Sequence, residues 1–125
     1  MTFLDVGHGD AIFLEFPGQR NLLIDGGDRR EDFDAGRELI APYLWRRNIH
    51  RLDAVLLTHS DRDHVGGLPF ILKTFRPRTL FESGFQKGSV PYQEYREAQK
   101  ESGIEPVFLQ RGERIIGYRD VSLEV

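Results

Sequence analysis

The chain begins as short apolar runs separated by glycine-centred turns. Met1 to Val6 and Ala11 to Phe16 read as strands, joined by Gly7-His8-Gly9-Asp10, a turn whose glycines permit positive φ. Pro17-Gly18 is a second turn. Asn21 to Asp25, with Leu22-Leu23-Ile24 at its centre, is a third strand closed by Asp25-Gly26-Gly27. Asp28 to Asp34 is polar and is expected to form an exposed loop. Leu39, Ile40, Tyr43, Leu44 and Arg47 then recur at helical spacing. Pro42 suits a first turn and breaks an interior, so this helix starts near Ile40 or kinks there, and it ends at Arg46-Arg47-Asn48. Leu52 to Thr58 runs apolar without alternation through Ala54-Val55-Leu56-Leu57, as a strand buried on both faces does. Gly66-Gly67-Leu68-Pro69 opens a helix through Phe70, Ile71 and Phe75. Thr79-Leu80-Phe81 is a further strand, Tyr92 to Ser102 a polar helix, and Glu105 to Val125 a run of short strands.

This order of elements predicts an α/β layered domain with a mixed sheet. At 125 residues the chain has room for one domain with a real core. Hydrophobic residues make up 39% and charged residues 30%, with both signs mixed, which excludes a disordered chain. The net charge of −3 gives no global basic field for nucleic acid, although local patches remain open. Cysteine is absent, so only histidine and carboxylates are available as strong metal ligands. No apolar run approaches the roughly 18 residues of a membrane span, and no basic stretch of a signal peptide precedes the first strand. Asp120 to Val125 alternates up to the last residue, from which the chain is expected to be a piece of something longer.

The chemistry is concentrated after the buried strand. His59, Asp61, Asp63 and His64 put four potential ligands within six residues at its C-terminal end. Buried carboxylates are costly unless paired or metal-bound. Alternate residues 59 and 61 can address one point, and 63 and 64 a second. Two divalent ions about 3.5–4 Å apart sharing such a loop would activate water for attack on a phosphoryl or acyl centre. Gly66-Gly67 is expected to let the backbone turn tightly away into the next helix.

The run Thr58-His59-Ser60-Asp61-Arg62-Asp63-His64-Val65-Gly66-Gly67 resembles the His-x-His-x-Asp-His signature of the metallo-β-lactamase superfamily, with Asp61 where most members have the second histidine. Leu23-Ile24-Asp25-Gly26-Gly27 resembles the superfamily's strand-end aspartate, which buttresses the metal loop. Leu4-Asp5-Val6-Gly7-His8-Gly9-Asp10-Ala11 is similar to the opening of the C-terminal domain of ComEC-type DNA-internalisation (competence) proteins, with His8 for the usual glutamine. Ala41-Pro42-Tyr43-Leu44-Trp45-Arg46-Arg47 and Leu52-Asp53 also resemble that branch. The resemblance covers nearly the whole chain, taking 1–125 as a single domain cut short.

The resemblance implies the N-terminal half of an αβ/βα sandwich, a mixed sheet with helices on one face. It implies that His59 and Asp61 bind one metal and Asp63 and His64 the second, and that Asp63 orients or deprotonates the attacking water. With aspartate in place of histidine, the first site is richer in oxygen and leans from zinc towards manganese. The family completes its site with further histidines and a bridging aspartate. Here no histidine follows His64, the others being His8 and His50, so the chain is expected to supply about half of a dinuclear site. The implied parent is a membrane protein taking up DNA, its soluble domain extracytoplasmic and hydrolysing phosphodiester bonds of the non-transported single strand. Free-standing hydrolases of lactones, thioesters or phosphocholine esters share the motif, and a non-catalytic metal-binding module is a third reading.

Lesser signals are ambiguous on sequence alone. Asp25 suits a plain turn as well as a buttress, and His8 and Asp10 suit turn chemistry as well as the rim of the site. Arg62 lies inside the metal loop, where a guanidinium can grip a phosphate. Arg29-Arg30, Arg46-Arg47-Arg51 and Arg76/Arg78 are cations that a DNA-handling enzyme would want for phosphates, but such clusters are mostly solvated surface and alone carry little weight in a chain of net negative charge. His50 reads as a boundary residue and Trp45 as core. Half a sandwich would expose one apolar sheet face, from which self-association as a homodimer about a two-fold axis is expected.

Overall fold

The computed structural model describes residues 2–4, 10–18, 20–83, 90–109, 114–118 and 121–124. Strands β1 (Thr2–Phe3), β2 (Ile12–Phe16) and β3 (Arg20–Ile24) pair antiparallel, with Phe13 opposite Leu23 and Phe16 opposite Arg20. The expected exposed loop that follows is instead a small antiparallel hairpin, β4 (Arg29–Arg30) and β5 (Phe33–Asp34). Strands of two residues are too short to show an alternation. The anchor of the hairpin is also invisible as a pattern: Asp28 is buried, and its carboxylate accepts from the Arg29 backbone N–H and from Arg30 Nε, each at 2.8 Å.

A π-helical turn, Gly36–Ile40, runs straight into α1 (Ala41–Arg46); the Ala41 N–H still reaches the Gly36 carbonyl, and Pro42, which has no N–H to give, stands where the π-turn passes into the α-helix. Asn48 takes a φ of 61° beyond the helix end, and the Ile49 N–H returns to the Leu44 carbonyl at 2.9 Å. Then come β6 (Ala54–Leu57), α2 (Arg62–Val65), α3 (Leu68–Phe75), β7 (Thr79–Ser83), α4 (Val90–Ser102) and β8 (Val107–Leu109). The antiparallel pair β9 (Arg114–Tyr118) and β10 (Val121–Glu124) ends the described residues.

Six strands form one sheet in the order β1-β2-β3-β6-β7-β8. The meander is antiparallel, whereas β3, β6, β7 and β8 run parallel. The expected mixed sheet is therefore present. Its parallel register is pinned where β3 and β6 begin. The Asn21 N–H donates to Asp53 Oδ2 and the Asp53 N–H to Asn21 Oδ1, both at 2.8 Å. This reciprocal pair sets Leu22 beside Ala54 and Leu23 beside Val55. Replacing Asn21 by alanine leaves the Asp53 N–H without its acceptor. Chemical denaturation should show a loss of about 1–3 kcal/mol, and an unchanged midpoint would refute this role.

The helices cover one face of the sheet. Phe13, Leu23, Val55, Leu57 and Leu80 meet Ile40, Leu44, Leu68, Ile71 and Phe75 in one core. On the other face Leu14, Leu22, Ala54, Leu56 and Leu109 form a second cluster drawn from strands. The expectation that this face stands open is corrected: Leu22 and Ala54 are fully buried and Leu56 is 3% exposed. It therefore gives no argument for two-fold pairing. Trp45 is also not core. It is 44% exposed and stacks on Phe75, ring centroids 5.8 Å apart, as a residue about 100° round α1 from buried Leu44 can at the edge of the core. His50 is exposed, as expected of a boundary residue, with Nε2 3.2 Å from Asn48 Oδ1.

Candidate metal centre

The parallel strands β3 and β6 end side by side, and the Asp25 N–H donates to the Leu56 carbonyl at 2.9 Å. Ligands of open α/β sheets collect at such C-terminal strand ends. Asp25 adopts a φ of 61°, a left-handed conformation tolerated by aspartate, asparagine and glycine and disfavoured in most other residues. That conformation turns a 3% exposed carboxylate toward the start of the metal loop. Oδ1 accepts the Thr58 N–H at 2.8 Å, and Oδ2 accepts the Thr58 hydroxyl at 2.5 Å and His64 Nδ1 at 3.0 Å.

These bonds decide the ring tautomers. An ionised carboxylate only accepts, so His64 carries its proton on Nδ1, leaving Nε2 as the outward lone pair in the neutral ring. The Thr58 hydroxyl gives its proton to Asp25, so its oxygen accepts from His59 Nδ1, 3.0 Å away. The same logic leaves Nε2 of His59 outward. One buried aspartate thus orients both histidines, the second through Thr58. Metal-ligating histidines are held in this way by a carboxylate behind the ring.

The two rings lie beside each other, centroids 4.9 Å apart. His64 Nε2 faces two carboxylates, Asp10 Oδ2 at 3.7 Å and Asp63 Oδ1 at 3.8 Å. Backbone bonds lock this corner: Asp10 N–H to the Asp63 carbonyl at 3.1 Å, Gly26 N–H to the His64 carbonyl at 2.7 Å, and Gly27 N–H to the Asp10 carbonyl at 2.9 Å. Burial opposes the charged form of His64, but the Asp25 hydrogen bond and the charges of Asp25, Asp63 and Asp10 outweigh it and hold the pKa above the ordinary value. Burial pushes the Asp25 carboxyl up, against the bonds from Thr58 and His64.

The structure thus brings Asp10, Asp25, Asp63 and His64 together, with His59 alongside. The Asp61 carbonyl accepts the His64 and Val65 N–H groups at 2.9 Å each, which starts α2, and its side chain is exposed. Arg62 is exposed on the first turn of that helix. His8 lies outside the described residues, as does the rest of the opening motif from Asp5 to Gly9. Thr58 had no role on sequence; the signal was its place directly before the first histidine. Gly66 and Gly67 are both right-handed helical in φ and ψ, so conformational freedom is not what the pair is used for. Space is. A Cβ on Gly67 would lie 2.3 Å from the Gly26 carbonyl oxygen and 2.4 Å from the Gly36 nitrogen, and one on Gly66 would lie 2.4 Å from the Arg29 nitrogen.

The donor chemistry suits a divalent ion: imidazole lone pairs fixed from behind, with carboxylates beside one of them. Among the described residues, no group of three such side chains converges closely enough to hold an ion.

The family profile of the metallo-β-lactamase superfamily matches residues 4–120. The chain belongs to that superfamily. Members are metal-dependent hydrolases and generally bind divalent metals. The chain is similar to ComE operon protein 3 of Bacillus subtilis (strain 168), 31% identical over 139 residues that cover 100% of this chain and 18% of that protein. Recombination protein 2 of Haemophilus influenzae is 38% identical over 72 residues, 58% of this chain and 9% of that protein. Ribonuclease J of Mycolicibacterium smegmatis is 33% identical over 114 residues, 88% of this chain and 19% of that protein. The chain spans less than a fifth of the length of each of these three relatives. Among the described residues, no helix is long and apolar enough to cross a membrane.

Proposed function

We propose that the chain is part of a metal-dependent phosphodiesterase domain of a DNA-uptake protein, acting on the single strand that is not transported. The observation that carries the reading is His64, with Nδ1 held by buried Asp25 and Nε2 turned to Asp10 and Asp63. Similarity to ComE operon protein 3 along the whole chain supports the uptake role, and similarity to a protein named as a ribonuclease supports phosphodiester chemistry.

In this reading His59 and Asp61 hold one divalent ion, and His64 and Asp63 a second, manganese or zinc. Asp10 is the carboxylate to add to this set. The ions would supply Lewis-acid stabilisation of the developing charge and a more acidic water. Asp25 fixes both imidazoles with Nε2 outward, the second by way of Thr58. Asp63, half exposed beside His64, holds and orients the attacking water and takes its proton. Arg62 binds a non-bridging phosphate oxygen beside the centre. A membrane-spanning part elsewhere in the longer protein, with this domain extracytoplasmic, completes the proposal.

The test is manganese-dependent cleavage of a labelled single-stranded oligonucleotide by the domain carrying its full ligand set. EDTA and His64→Ala should each stop it, and His64→Ala should also lower manganese affinity about tenfold or more in a chelator competition. Turnover of a lactone or thioester with DNA left intact would replace the substrate. Metal binding unchanged in His64→Ala would overturn the centre itself.

A further inference from the structure

The hairpin expected to be a loop forms one wall of a cleft of about 680 Å³ beside the metal loop. That volume falls within the range of roughly 300–1,000 Å³ usual for ligand sites. Arginines from three separate segments meet there: Arg29 and Arg30 from β4, Arg37 from the π-turn and Arg62 from α2. The chain is acidic overall at −3, so this gathering runs against its mean charge.

The four arginines are not equivalent. Arg29 is held by Glu94 at 2.5 Å and Arg30 by Asp28 at 2.8 Å, which fixes their guanidinium groups and neutralises much of their charge. Arg37 and Arg62 are exposed and make no ion pair among the described residues. Two carboxylates share the lining, Glu31 and Asp34. Asp34 is turned to the backbone, where Oδ1 accepts the Gly36 and Arg37 N–H groups at 2.9 and 3.2 Å. Half-buried Phe33 and Val90, 63% exposed at the start of α4, share the lining with the cations.

We infer that this cleft seats the backbone of a single-stranded polynucleotide on its way to the metal loop. Arg37 and Arg62 take phosphates, and the Phe33–Val90 surface takes a base or sugar face. A free inorganic anion would need neither the spread of cations over three segments nor the apolar side chains that share the lining. A single strand presents charge and ring faces in alternation, and grooves that bind it combine the same two features. Arg62 belongs both to the metal loop, between Asp61 and Asp63 in the chain, and to the lining of the cleft, so it links the two. The catalytic consequence rests on the phosphodiesterase reading above, whereas the binding does not.

The experiment separates the two. Anisotropy of a short labelled oligothymidylate is measured with the 125-residue chain in EDTA, across a salt series. Binding is expected to weaken about tenfold with Arg37→Glu and less with Arg37→Gln, and the log–log salt slope should become shallower by about 0.7 for each phosphate no longer held. Arg46→Glu makes the same charge change outside the cleft and should alter binding much less. In the domain that carries its full ligand set, binding of the strand without cleavage under any metal would sustain the cleft and sink the phosphodiesterase. No binding by the parent, equal losses from Arg37→Glu and Arg46→Glu, or capture by phosphatidylglycerol vesicles in place of the oligonucleotide would overturn the inference.

Discussion

Asp25→Asn should abolish tight metal binding while leaving the chain folded. Asparagine tolerates the φ of 61° at this position and still offers an oxygen to the Thr58 N–H. Its amide nitrogen, however, takes the place of Oδ2 and donates where Oδ2 accepted. His64 then has to present an Nδ1 lone pair to residue 25 and carry its proton on Nε2, the atom that faces Asp10 and Asp63. Thr58 loses its acceptor at the same time, and with it the bond that fixes His59. Loss of a carboxylate behind a ligating histidine costs about 10–100-fold in metal affinity, and here one residue serves two rings, so the upper end is expected. Chelator competition with manganese and zinc measures it, and nitrogen chemical shifts report the tautomers. Parent-like affinity with the histidine tautomers unchanged would show that Asp25 is only a turn residue. Asp25→Ala should be worse on both counts. It strands the Thr58 N–H and places an intolerant residue in the left-handed region, at a stability cost of roughly 2–4 kcal/mol.

The second large effect concerns space. Gly67→Ala should destabilise the fold by about 3 kcal/mol, a drop in melting temperature of roughly 10 °C for a chain of this size. The added carbon would meet the Gly26 carbonyl oxygen at 2.3 Å and the Gly36 nitrogen at 2.4 Å, both backbone, so no flexible side chain can yield. Gly103→Ala is the control. Gly103 has a φ of +77° with nothing within 4 Å, so its substitution shows the cost of conformation alone, about 1 kcal/mol. Trp45 is the one tryptophan of the chain, and its stacking on Phe75 gives a fluorescence signal for both unfolding curves. A Gly67→Ala midpoint equal to that of Gly103→Ala would refute the packing argument.

Sequence patterning located the elements whose apolar periodicity is long. The buried run at Ala54–Leu57, the helix after Gly66-Gly67 and the polar helix ending at Ser102 all stand where expected. It failed where geometry depends on residues far apart in the chain. The Arg29–Asp34 hairpin is held by a buried aspartate and a facing glycine, neither of which has a period. The Gly66-Gly67 pair reads as a turn by composition, but what it does depends on Gly26, Gly36 and Arg29, far away along the chain. In the centre, spacing pointed to His59, Asp61, Asp63 and His64; the structure sets Asp63 and His59 beside His64 and leaves the Asp61 side chain exposed. Asp10 was ambiguous, because an aspartate after glycine suits any turn; only folding puts it 3.7 Å from His64 Nε2. The arginine cleft was the least legible, since residues 29, 30, 37 and 62 are neighbours only once the hairpin packs on α2.

The hairpin also offers a route to instrumentation. Its base is immobilised by Asp28 and by the Gly66–Arg29 and Gly67–Gly36 approaches, whereas Glu31 and Asp32 at the tip are exposed and make the turn. Exposed tips tolerate change where anchored ends do not. A fluorophore on a cysteine introduced at Asp32 would react uniquely in a chain without cysteines and sit at the mouth of the cleft, so its emission would follow occupancy in real time.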